Sequence, residues 1–442
     1  MDLVKPYNAN GIKRFVAITT LLSLVNPVQA KPSVRSLDKD PTDGGWLQCR
    51  AQEKFLDSFA LICSTSKKGS ETASAACLET GRSTGTVLRV ARNLGVPPDD
   101  LCSLKKILGS LKVIAARGSS MPTPEDAMRD ILFKIIDLDR DKINALFQTF
   151  TKKSVKESLN QAIAVIQRNN SRAENGSSFW QWAGTIPAFV KLSIAQGPQK
   201  MAPYLEWASC ARWRYSKVLE SHFSGPTGPP EWITSIYKLG RYYAAANAMV
   251  SLALKQSELF VSIELETVEP LARESFPFPQ EHGLRTLLKE LVPEHQEQIL
   301  ARLENMWNKE DAEVHFKNQF PQVLTPHAEM QMARFYESYP HLAPRLRYMG
   351  TSKKACYLCN EALNTHPLKI VAEKCHQKLY PTWLPAPCPS STRKRNSDFL
   401  WKMTRQLERM TVQELRSSLR GVRRQFALDS TAGPSLTMTS YM

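Results

Sequence analysis

Four side chains within one stretch of this 442-residue chain have the types and spacing of a hydrolytic metal centre. His327 and Glu329 stand two positions apart, and Cys356 and Cys359 form a Cys-x-x-Cys pair that begins twenty-nine positions after the histidine (356 − 327). One imidazole and two thiolates are three of the four ligands of a tetrahedral zinc, and an open fourth position separates a catalytic zinc from a structural one. Water bound at such a position has its pKa lowered to roughly 7. A carboxylate at the spacing of Glu329 can carry that water's proton without ligating the metal. His327, Cys356 and Cys359 are therefore the candidate ligands of a Zn2+ cofactor, and Glu329 is the candidate catalytic acid/base.

These residues need elements that bring them together. Thr325-Pro326 is a helix-start signal, and the run after it places Met330, Ala333 and Phe335 or Tyr336 on one helical face. His327 and Glu329 then fall in the first turn. Arg347 to Gly350 reads as a short strand, residues 351–354 as a turn, and Cys356 to Leu363 as a second helix start. A helix N-terminus offers free N–H groups and a positive dipole end, which favours thiolate. The opposing reading is a closed, structural zinc, for which His341, His366, Cys375, His376 and Cys388 are the candidate fourth ligands. For Glu329 alone, the plain reading is stabilisation of the first helical turn, worth under about 1 kcal/mol.

His-x-Glu followed by Cys-x-x-Cys is the zinc deaminase signature. The stretch resembles the cytidine-deaminase-like zinc superfamily. Its HAEMQ (327–331), SKKACYLC (352–359) and KLYPTWLP (378–385) segments resemble the Orientia-type branch, which is much expanded in fungi. That branch comprises predicted nucleic-acid or nucleotide deaminases. The resemblance runs from Ser262 to Pro387. It implies a three-layer α/β/α domain with a mixed sheet, with His327, Cys356 and Cys359 holding zinc and Glu329 as proton shuttle. Ala355 stands where the wider superfamily has proline, while Ser352-Lys353 follows the narrower branch. His376, Tyr380 and Trp383 are candidates to line a base pocket, with Lys353 as a further substrate-side candidate; the alternative for the ring residues is edge-strand packing.

The length suggests two or three domains. The formal net charge of +16 favours a polyanionic partner, such as single-stranded nucleic acid, or an anionic membrane surface. Lys13-Arg14, the apolar run Phe15 to Val25 and Val28-Gln29-Ala30 resemble a cleavable signal, but the run is too short to span a bilayer. A buried first helix is the preferred reading. Nine cysteines, an odd number of which two belong to the proposed metal, point to a reducing compartment, cytoplasmic or nuclear. Secretion is the lesser alternative, and only then would Asn169-Asn170-Ser171 and Asn175-Gly176-Ser177 be glycosylation sites.

Residues 31–255 read as an all-helical N-terminal region. Gln52 to Cys63, Cys102 to Ala116 and 124–168 carry helical patterning, with Thr123 as a helix start. Cys49, Cys63, Cys77 and Cys102 read as small buried hydrophobes. Asp137 to Asp141 lacks the glycine and closing glutamate of a calcium loop and reads as a solvated helix junction. Phe179, Trp180, Trp182, Trp207, Trp213 and Tyr215, with Arg212, Arg214 and Lys217 among them, read as helix–helix core rather than a base-stacking platform. Ser262 to Val268 alternates as a half-buried strand, which opens a zinc domain over 256–395. Within it, Val314 to Val323 reads as containing a strand, and Lys369 to Ala372 with Gln377 to Tyr380 as a strand and its return. Residues 396–427 read as basic helices with a capping box at Thr411 and Glu414, and 428–442 as a disordered tail. The function these readings support is zinc-dependent hydrolytic deamination of a nucleobase. Its rival is an inactive deaminase-fold interaction protein with a structural zinc.

Overall fold

A computed structural model describes residues 3–32, 44–82, 85–117, 123–172, 178–186, 197–226, 228–372 and 374–418. The protein is mixed α/β and mostly helical, with small sheets. Contacts divide it into two units. The smaller comprises residues 1–35, 268–343 and 354–430; the larger comprises 36–267, 344–353 and 431–442. Neither unit is one continuous stretch of chain.

The larger unit holds a four-stranded sheet. Strands Ser74–Arg82 and Gly85–Arg92 pair antiparallel, Glu264–Thr267 runs parallel to the second, and Gly350–Thr351 runs antiparallel to the first. The all-helical expectation for 31–255 therefore fails at residues 74–92. The reason is local: Ser74-Ala75-Ala76-Cys77 lacks the β-branched residues that mark a strand. It is a strand because it has a partner on each edge. Arg89 and Glu79 lie buried side by side within the hairpin, Nε to Oε1 2.5 Å, and Arg89 also reaches Glu266 on the parallel strand. The strand expected over 262–268 is present at Glu264–Thr267, and the one expected over 347–350 lies at Gly350–Thr351.

Helix Glu231–Lys255 runs through this unit's core, packed on helices Gly44–Ile62, Pro124–Leu138 and Gly197–Trp213. The aromatic run is core: Trp182 stacks on Trp207 and Tyr215 at 4.5 and 4.4 Å between centroids. Arg212 and Arg214 lie over the rings of Tyr237 and Tyr215. Of the four N-terminal cysteines, Cys63 and Cys77 are buried while Cys49 and Cys102 are exposed. The junction at Asp137–Asp141 joins two helices, but it is not solvated throughout. Asp139 is buried with neither carboxylate oxygen hydrogen-bonded, and burial raises its pKa well above the carboxylate range.

In the smaller unit, helix Ala9–Val25 is buried over Phe15 to Leu22, as its apolar run requires. Phe15 packs against Trp383, 5.7 Å between ring centroids. Its capping residue Asn8 accepts from Gly11 N–H. Among the described residues no helix is long and apolar enough to cross a membrane. Residues 312–319 form a helix, and the strand of that region is confined to Val323–Leu324. Residues 369–380 form isolated bridges instead of the expected strand and return. Thr411 caps nothing: Arg393–Ser418 is one continuous helix, and the buried Thr411 hydroxyl donates to Leu407 C=O one turn back. Of the basic residues toward the end of 396–427, Arg416 pairs with Glu294, while Arg420, Arg423, Arg424 and the tail lie outside the described residues.

Gly350 marks a close approach of backbones in the larger unit. A Cβ there would lie 2.2 Å from the carbonyl carbon of Leu56, on the helix packed over the sheet. Gly350→Ala is expected to destabilise folding by about 1–3 kcal/mol through overpacking, measured by urea denaturation; an unchanged midpoint would contradict this packing.

Candidate metal centre

Two helices of the smaller unit begin at the motif residues. His327 is the N-cap of helix Ala328–Ser338, with extended backbone. Cys356 is the N-cap of helix Tyr357–Thr365, and its sulfur accepts from Cys359 N–H at 3.3 Å. The Cys-x-x-Cys spacing thus serves twice: Sγ of the first cysteine satisfies an orphan donor of the helix start, and the second cysteine falls in the first turn beside it.

Backbone hydrogen bonds from one segment hold both helix entries. Ala355 N–H donates to Lys374 C=O at 2.7 Å, His376 N–H to Ala355 C=O at 3.1 Å, and Tyr357 N–H to Lys378 C=O at 3.0 Å. The same segment continues to the other helix, where Thr325 N–H donates to Thr382 C=O and Leu384 N–H to Thr325 C=O. Its back is bonded to the chain following the first helix, through Gln29 N–H to Gln377 C=O and Leu379 N–H to Pro27 C=O. Sequence reasoning missed Gln331. Fully buried, it donates to Pro326 C=O and accepts from Leu271 N–H, fixing the start of the His327 helix. The signal for it was a glutamine one turn after His327 on a face otherwise apolar.

His327, Cys356 and Cys359 come together, with their donor atoms all within 4.8 Å of one another. His327 Nδ1 lies 3.6 Å from Cys356 Sγ and 3.4 Å from Cys359 Sγ. Zinc–sulfur bonds of about 2.3 Å and zinc–nitrogen bonds of about 2.0–2.1 Å at tetrahedral angles require a nitrogen–sulfur separation of about 3.6 Å. The donor set fits that ion. No fourth His, Cys, Asp or Glu joins the group among the described residues. The other candidates are engaged elsewhere. Cys375 accepts from Gln377 N–H, His376 accepts at Nδ1 from Lys378 N–H, His366 accepts at Nδ1 from Leu368 N–H, and Cys388 lies against Val4 C=O. His341 is exposed.

Charge is finely set here. Burial acts to raise the Cys356 thiol, but hydrogen bonds from Cys359 and the charge of His327 outweigh it, and the thiol is held well below its ordinary value. Burial and the neighbouring Cys356 sulfur push Cys359 up correspondingly. Burial raises the Glu329 carboxyl, with His327 opposing; the Cys359 thiol reaches it as a donor. Cys356 is thereby favoured as the thiolate of the pair, the form a metal ion binds.

Of the substrate-side candidates, the Tyr380 ring lies 6.0 Å from the His327 ring and 5.6 Å from that of His376. Burial pushes the Tyr380 phenol up to about 12. Trp383 is not at the open face: it is buried between Phe15 and the sulfur of Cys359. Lys353 belongs to the larger unit, where its Nζ would lie 2.8 Å from a Cβ on Gly69.

Residues 326–387 match the model of the OTT_1508-like deaminase family. The matched segment takes in both ligand helices and the segment that ties them, and it agrees with the resemblance of the HAEMQ, SKKACYLC and KLYPTWLP runs to the Orientia-type deaminases. No curated protein and no solved structure matches the chain.

Metal analysis of the purified protein is expected to find close to one zinc per chain. His327→Ala, Cys356→Ala and Cys359→Ala should each lose it, while Glu329→Gln, His341→Ala and His366→Ala retain it. Full zinc content in Cys359→Ala would contradict the assigned donor set.

Proposed function

We propose that this protein is a zinc-dependent hydrolytic deaminase of a nucleobase, carried in nucleic acid or a nucleotide. The observation that carries the reading is the three-donor group itself: Nδ1 of His327 at 3.4 and 3.6 Å from the two sulfurs, with Glu329 buried beside Cys359. Three donors leave a tetrahedral ion one position for water, the condition for catalysis. The family match over 326–387 supports a deaminase.

When bound, zinc supplies an activated water as the nucleophile. Glu329 accepts a proton from the attacking water and delivers protons to the ring nitrogen and the departing amine. The amine-bearing carbon gains the water's oxygen and ammonia leaves, so atoms balance. Burial suits Glu329 to this work, because a raised carboxyl pKa brings its protonated and ionised forms closer in energy at neutral pH. Tyr380 presents its ring beside His327, with the buried His376 ring behind it, and a base extruded toward the metal would stack on such a ring. The net charge of +16 favours a polynucleotide over a free nucleoside. The three-layer arrangement of the superfamily is part of the proposal; the mixed α/β character of the chain is in keeping with it.

The test is conversion of cytosine to uracil, or adenine to hypoxanthine, in single-stranded DNA and RNA oligonucleotides by the zinc-loaded protein. Glu329→Gln should lower the rate by about 10²–10⁴-fold with zinc content intact. A wild-type rate in Glu329→Gln, or no conversion of any of these substrates, would refute the assignment.

A further inference from the structure

The smaller unit carries a second concave site that the metal chemistry does not use. It is a cleft of about 580 Å³ formed by helix Ala328–Ser338, helix Tyr357–Thr365 and the first turns of helix Arg393–Ser418. That is within the size range of small-molecule sites. Met330, Leu363, Trp383 and Phe399 give it apolar walls, and Arg334, Lys394, Arg395 and Lys402 bring four cations to it.

The charges in the cleft are poorly matched within the protein. Arg334 has its Nε buried without a hydrogen-bond acceptor, and it forms no ion pair among the described residues. Arg334 is partly buried, which lowers its pKa, and Tyr339 opposes that shift. Lys394 and Lys402, exposed at the mouth, likewise form no ion pair among the described residues. The lining carboxylate Glu337 is already engaged by Arg395 and accepts from Asn396 Nδ2 at 3.1 Å. Asp398, on the exposed rim, is the opposing charge. His366 accepts at Nδ1 from Leu368 N–H at 3.3 Å, so in its neutral form it carries its proton on Nε2, as a donor. A buried guanidinium nitrogen without an acceptor is costly. An anion offered bidentate oxygens would relieve that cost.

We infer that this cleft binds a small organic phosphate, with its phosphate on Arg334 and the mouth lysines and its apolar ring against Phe399. The inference does not rest on deaminase activity. An aryl phosphate tests it without ambiguity, since it has no ring amine to lose.

Titration calorimetry with 1-naphthyl phosphate, 1-naphthol and inorganic phosphate, on the zinc-loaded full chain, makes the measurement. Saturable binding of one naphthyl phosphate per chain is expected, at least tenfold tighter than naphthol. Arg334→Gln should weaken it at least tenfold and Lys402→Gln several-fold, with zinc content unchanged in both. Tighter binding of inorganic phosphate than of the aryl ester would remove the apolar part of the proposal. No binding at millimolar concentration, or equal affinity in Arg334→Gln, overturns it. Lys402→Gln alters an exposed side chain, so its result stands even if Arg334→Gln fails to fold.

Discussion

The centre depends on one backbone constraint: the segment from Lys374 to Leu384 is hydrogen-bonded to the entries of both ligand helices. It pairs with Ala355 and Tyr357 on one side and with Thr325 on the other, and its middle is tied to residues 27–29. Ligands thirty positions apart in sequence can share one ion only if both helix starts are held in the same frame. Main-chain bonds do this better than side chains, because they leave no rotamer freedom to lose. The placement of the first helix follows from the same frame. Phe15 seats on Trp383, and Trp383 in turn backs the sulfur of Cys359.

Around that frame, burial and charge work against each other. Cys356, Cys359 and Glu329 are all buried, and His327 is partly so. Groups that ionise would ordinarily resist such a site. The structure compensates with donors: Cys359 N–H to the Cys356 sulfur, the thiol of Cys359, and the positive end of the helix that both begin. A thiolate is thereby available in a place where an isolated one would be expensive. The same physics separates this centre from the cleft on the far part of the two helices. There the unmatched group belongs to a cation, Arg334, whose Nε is buried without an acceptor.

The larger unit is held by different means. Its sheet is clamped by a buried ion pair, Arg89 with Glu79, that extends to Glu266 across the parallel strands. Breaking such a pair is far costlier than making it is stabilising, because one charge would be left buried alone. Helix Glu231–Lys255 approaches helix Gly197–Trp213 so closely that a Cβ on Gly240 would lie 2.5 Å from the Ala208 carbonyl oxygen. Trp207 and Tyr215 belong to the hydrophobic core and Trp182 packs against it, so the aromatic run is core and not an open platform.

Local chemistry was legible in the chain. The His-x-Glu and Cys-x-x-Cys runs, the helix starts beside them, the capping Thr123 and the strand near 264 follow from residue types within a few positions of each other. Such signals are local because caps and first turns are made by neighbours in sequence. What only the tertiary structure decided depends on partners far away. The alanine-rich run 74–77 is a strand because two other strands flank it, and Thr411 is mid-helix in a helix that packs against helix Ala9–Val25 from the other end of the sequence. Trp383 turned from a base-pocket candidate into the wall behind the cysteines because Phe15, from the other end of the chain, packs on it. The sequence could name the donors of the centre; that Nδ1 faces both sulfurs, and that no fourth protein donor joins them among the described residues, was decided by long-range hydrogen bonds that no spacing encodes.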